Sequence, residues 1–110
     1  ETREAPRNLD EILSTPGIDG VFVGPMDLSV SLSRGETLDS PDVAWAIEQV
    51  AISAKENGRF AGIFATTPAL AADYARKGYG FVALQQDAMF ITSAATAACA
   101  AARAAAEQPA

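Results

Sequence analysis

Three short apolar runs, "IDGVFVG", "RFAGIFA" and "YGFVALQQD", each followed by a segment with helical patterning, constrain the fold more than any other feature of this sequence. Val21 to Val23 is apolar at every position, so both faces of that strand are expected to be covered, as in a parallel sheet. Strands alternating with helices predict parallel β/α units, which connect right-handedly and carry helices beside the sheet. Three strands this apolar would leave bare edges. The chain therefore reads as a portion of a larger α/β sheet or barrel.

The helices have their own signals. "APRNLDEILSTPG" places Leu9, Ile12 and Leu13 on one face and stops at Pro16-Gly17. Residues 24–40, carrying "LSRGETLDS", are expected to form a long polar loop. At Ser40-Pro41-Asp42 an N-cap hydroxyl, a proline at the first helical position and a first-turn acid coincide. Val43, Ile47, Val50, Ala51 and Ala54 then mark one face up to Asn57-Gly58. Trp45 and Ile52 lie on another flank, read either as a broad core stripe or as a subunit contact. Thr67-Pro68 opens the next helix, which closes at Lys77-Gly78. The alanine-rich segment of about residues 88–107 is a helix on propensity. Its slim apolar side suits packing against another helix, and a tail frayed beyond about residue 100 is the alternative.

Composition narrows the function. At 110 residues the chain makes one modest domain, and its net charge of −6 disfavours nucleic-acid and anionic-membrane partners. No apolar run is expected to reach the roughly 18–20 residues that span a bilayer. The single cysteine, Cys99, rules out an internal disulfide and fits a reducing, cytoplasmic setting. Its expected place is a small buried position in the last helix. Histidine is absent, so a Ser-His-Asp triad, a Cys-His pair or a His-ligated zinc cannot be built from these residues alone. The opening "ETRE" reads as the middle of a longer sequence.

In parallel β/α folds, ligands bind where strands end and loops begin. Those positions here are Gly24-Pro25-Met26-Asp27, Ala65-Thr66-Thr67 and Gln85-Gln86-Asp87. Gly24 permits close approach by a ligand, and Pro25 has no N–H, so Met26 and Asp27 are the peptide donors for an anion. Asp27 reads equally as a ligand-binding carboxylate or as the cap of the turn "DLSVS". For Asp87, at a helix start, capping is the expected role. Carboxylates without histidine or thiolate suit a hard divalent ion such as Mg²⁺ or Mn²⁺. A second carboxylate is then needed from a neighbouring strand end, and Glu1 is a candidate only if a strand precedes it.

The stretches "NLDEIL…PGIDGVFVGPMDLSVSLS", "AGIFA" and "GYGFVALQQDAMF" resemble the C-terminal part of the HpcH/HpaI aldolases, which are class II, metal-dependent pyruvate aldolases. The resemblance covers essentially the whole chain and is carried most specifically by "GIDGVFVGPMDLS". It implies an α/β fold, the part of a (β/α)8 TIM barrel from the end of strand five through about strands six to eight. It also implies that Glu1 and Asp27 hold a divalent metal (Mg²⁺, Mn²⁺ or Co²⁺). The N–H groups of Met26 and Asp27 would bind the pyruvate carboxylate, and the ion would act as a Lewis acid in carbon–carbon cleavage or formation. The partners so implied are a keto acid and an aldehyde, with a homo-oligomer formed through the barrel edge and the C-terminal helix.

Two positions depart from that family. Phe64 stands where a small aliphatic residue usually forms the wall of the aldehyde pocket. Gln85 stands where the family usually has glycine. The family's catalytic histidine and substrate arginine have no counterpart among these residues, so no catalytic residue is assigned and the chain alone is expected to be inactive. Two alternatives remain. One is a citrate-lyase β-like relative acting on acyl-CoA, which a basic patch would mark; none is expected here. The other is a non-catalytic half-barrel kept as an assembly module.

Overall fold

The structure, a computed structural model, describes residues 1–33 and 40–107. A single 3-10 turn, Ala5–Arg7, leads into α1 (Leu9–Ser14), β1 (Gly20–Val23), α2 (Pro25–Ser33) and α3 (Pro41–Glu56). Then follow β2 (Phe60–Ala65), α4 (Pro68–Arg76), β3 (Phe81–Leu84) and α5 (Asp87–Ala106). The three strands form one parallel sheet in the order β1-β2-β3.

The caps behave as the sequence predicts. Ser40 Oγ accepts from the Val43 N–H at 3.3 Å and opens α3. Thr67 Oγ1 accepts from the Leu70 N–H at 3.2 Å and opens α4. Both helices begin with proline, whose missing N–H costs nothing in a first turn. The α3 face of Val43, Ala46, Ile47, Val50 and Ala54 is buried against α1 and the sheet, where Leu13 and Ile63 are fully enclosed.

The two faces of the sheet differ. Val23, Ala61, Ile63 and Ala65 point into the helix layer and are buried. The opposite face carries Phe22, Phe60 and Phe81, each about half exposed. On it, aromatic rings alternate with glycine across the strands: Gly20 is in register with Phe60, and Gly62 lies between Phe22 and Phe81. The rings of Phe22 and Phe81 meet edge to face over Gly62, with centroids 5.8 Å apart. A methyl group at Gly62 would come within 2.6 Å of the Phe22 ring, so only glycine fits there. The covering of both strand faces expected from the sequence is thus met on one side only within this chain.

Several expectations are corrected. Pro25–Ser33 is helix, not loop, with proline at its start and Asp27 in its first turn; the rest of the polar run, 34–39, lies outside the described residues. Trp45 and Ile52 are not part of the core stripe, since both are exposed. Cys99 is exposed, not buried, because none of the residues of α5 is buried. Helix α5 runs unbroken to Ala106, with no fraying at residue 100. At 20 residues it is long and apolar enough, by length and composition, to cross a membrane, contrary to the expectation that no run would be. Much of that apolar character comes from alanine, whose small side chain offers little area to bury.

Candidate functional site

The carboxyl ends of all three parallel strands lie at one edge of the sheet. Strand β1 passes directly into α2, whose first intrahelical bond runs from the Leu28 N–H to the Gly24 carbonyl at 3.0 Å. The N–H groups of Met26 and Asp27 therefore stand in the first turn ahead of any intrahelical acceptor. Pro25 and Leu28 are buried and fix that turn against the core, while Met26 is 60 % exposed.

Glu1 and Asp27, widely separated in sequence, converge on Gly24. A methyl group at Gly24 would sit 2.7 Å from Asp27 Oδ2 and 3.7 Å from Glu1 Oε1. The two carboxylate oxygens are thus no farther apart than the sum of those distances, and glycine leaves the space between them open. Among the described residues neither carboxylate is in a hydrogen bond or ion pair, and Asp27 lies in the first turn of α2, where an acid also complements the helix dipole. Asp87 differs: its Oδ1 accepts from the adjacent Ala88 N–H at 2.8 Å, at the start of α5.

Arg3 contributes in a way the sequence reading did not identify. Its guanidinium donates to the Ser31 and Leu32 carbonyls at 3.0 and 3.4 Å, at the far end of α2. A cation there complements the negative end of the helix and ties the N-terminal segment, with Glu1, alongside α2. No local pattern signals a pairing of residues so far apart in sequence.

The ends of β2 and β3 lie beside this turn. Phe64 lies on β2 in register with Ala83 of β3, on the same face as Phe22 and Phe81. Gln85 has a φ of 57°, the one positive φ at a non-glycine residue among those described. Left-handed backbone there is the reason glycine would be the easy choice. Gln85 is held by two bonds: its N–H donates to the Ala65 carbonyl at 2.8 Å, and its Nε2 donates to the Thr66 carbonyl at 2.9 Å.

Chemically, the edge offers two neighbouring carboxylates, two peptide donors and, on the adjacent strand, the ring of Phe64. Among the described residues there is no group of three or more His, Cys, Asp and Glu side chains suited to a metal ion. Glu1 and Asp27 would supply only part of a cation's oxygen shell, leaving positions for substrate and water. At the opposite end of the sheet, Lys55, Arg59, Arg76 and Lys77 line one groove, which corrects the expectation that the chain has no basic patch.

A parallel β/α fold with paired carboxylates at its strand ends defines a class of proteins that bind small polar ligands at that edge. Residues 1–94 match the family model of the HpcH/HpaI aldolase/citrate lyase. The chain belongs to that family. It is 41% identical over 97 residues to 4-hydroxy-2-oxo-heptane-1,7-dioate aldolase of Escherichia coli, with 88% of this chain and 37% of that protein covered. It is 45% identical over 94 residues to 2-keto-3-deoxy-L-rhamnonate aldolase of Klebsiella pneumoniae, with 86% of this chain and 35% of that protein covered. The structure superposes on an HpcH/HpaI aldolase/citrate lyase family protein of Burkholderia cenocepacia with a TM-score of 0.90 at 33% identity, covering 94% of this chain and 40% of that one. The chain thus spans well under half the length of the relatives it matches.

Proposed function

We propose that these residues form the carboxyl-terminal part, about strands six to eight, of a (β/α)8 barrel that cleaves or forms 4-hydroxy-2-oxo acids from pyruvate and an aldehyde. The whole of residues 1–110 is one partial barrel domain ending in the alanine-rich helix. The observation that carries the reading is the convergence of the Glu1 and Asp27 carboxylates on Gly24, within a chain resembling two aldolases. The alternation of exposed phenylalanine and glycine on the open face supports the barrel, since inward side chains of such barrels stack in layers.

Glu1 and Asp27 would hold the divalent cation (Mg²⁺, Mn²⁺ or Co²⁺), an assignment that fits an all-oxygen donor set. When bound, the cation supplies Lewis-acid polarisation of the keto group. The N–H groups of Met26 and Asp27, at the positive end of α2, receive the keto-acid carboxylate. Phe64 borders the aldehyde side and narrows it relative to a small aliphatic residue. Gln85 holds the β3 end against the β2 end through Thr66, fixing the spacing of the walls. No described residue supplies the proton-transferring base, so this chain binds and orients while the remaining barrel supplies that group. The partners are a keto acid, an aldehyde and further copies of the same subunit, met through the barrel edge and α5. The setting proposed is the cytoplasm.

Complementation tests the reading. The chain is mixed with a truncated E. coli 4-hydroxy-2-oxo-heptane-1,7-dioate aldolase lacking the part the chain matches, and pyruvate release from a 4-hydroxy-2-oxo acid is followed. The expected result is no release by either piece alone and release by the mixture, abolished by a chelator. A mixture that co-elutes as one complex yet stays inactive with Mn²⁺ would overturn it.

A further inference from the structure

We propose that the groove at the amino-terminal end of the sheet is a binding site for a compact polyanion, separate from the edge that carries Asp27. The groove lies between the carboxyl ends of α3 and α4 and is lined by Lys55, Arg59, Arg76 and Lys77, with Ile52 beside them. The whole chain has 8 lysines and arginines against 14 acids, so four of its cations gathering in one concavity runs against its general charge.

Partners for those cations are few. Asp73 takes Lys77 Nζ at 2.9 Å and Arg76 Nη2 at 3.4 Å, and it is the carboxylate in ion-pair contact with the groove among the described residues. The Lys77 hydrogen bond, with the charge of Arg76, lowers the Asp73 pKa, so that carboxylate stays ionised and already engaged. Arg59 gives only its Nε, to the Leu13 carbonyl at 3.3 Å. Lys55 has no hydrogen bond or ion pair among the described residues. Among the described residues, one carboxylate is thus in ion-pair contact with these four cations.

Part of this pattern serves the helices, because cations at the last turns of α3 and α4 complement their dipoles. Arg59, outside both helices, meets the last turn of α1 through its Nε alone, and three chain segments bring their cations to one cavity. An ion with two or more anionic groups spans Lys55 and Arg59 without displacing Asp73 from its partners. The exposed Ile52 side chain beside it lowers local hydration and strengthens the attraction. Phosphate and carboxylate groups share the required chemistry.

The test is an amide ¹⁵N–¹H NMR titration of the chain at low salt with inorganic pyrophosphate, and in a second arm with citrate. Saturable shifts are expected at residues 55–60 and 76–80. Saturation by either anion supports the site, and the tighter of the two names its chemistry. Lys55→Gln, which removes no bond of the fold, is expected to weaken binding about tenfold, as is Arg59→Gln. Arg103→Gln on α5 is expected to leave binding unchanged. Absence of saturable shifts in the groove, or equal weakening by Arg103→Gln in proteins with unchanged spectral dispersion, would overturn the proposal.

Discussion

The hydroxyl of Tyr79 donates to the Ile47 carbonyl at 2.7 Å, within the layer that joins α3 and α4 to the sheet. The ring is 3 % exposed. Burial, aided by the neighbouring Tyr74, pushes its pKa well above the ordinary 10.0. Above that pH the unfolded phenol loses its proton while the buried one keeps it, so the unfolded chain binds fewer protons and stability falls as pH rises. Tyr79→Phe is expected to cost about 1 kcal/mol near neutrality for the lost hydrogen bond. In urea titrations the gap between the two proteins is expected to narrow as pH rises above 10.0, whereas a constant gap would contradict the burial account. At this scale the sequence was uneven. Gly-Pro-x-Asp announced a strand end with a carboxylate, and the resemblance supplied Glu1 as its companion. Gln85 stood out only as a departure from the family's glycine, and its φ of 57° shows what that glycine would accommodate. Tyr79 and Arg3 were invisible, because each acts on a carbonyl far away in the chain.

Elements with both a periodic face and a capping residue were legible. Helices α3 and α4 begin at the proline after their capping hydroxyls, as expected. Ser40→Ala and Thr67→Ala are each expected to cost about 1 kcal/mol in urea unfolding, since each removes the N-cap side chain of its helix. Helix α2 was missed although Pro25 and Asp27 are start signals, because the following serines dilute its apolar stripe and Leu28 and Leu32 alone mark its inner side. Helix α5 was placed almost to the residue, yet its surroundings were not. Alanine propensity dictates a helix without saying what it packs on, and here Phe90 and Ile91 remain exposed.

The whole molecule measures 67 × 28 × 21 Å with a radius of gyration of 18.5 Å, against about 13 Å for a self-contained domain of similar length. Its extension, the half-exposed Phe22, Phe60 and Phe81, and the uncovered α5 agree with the proposal that further protein covers these surfaces. Sedimentation is expected to show self-association that Phe22→Ser with Phe81→Ser reduces; a monomer at all concentrations would contradict that. The most direct test of the central claim is calorimetric titration of the chain with Mn²⁺, with and without pyruvate, beside Asp27→Asn. The account predicts one site, tighter with pyruvate, and a loss of at least about tenfold in the variant. Equal Mn²⁺ binding by the two folded proteins would contradict it.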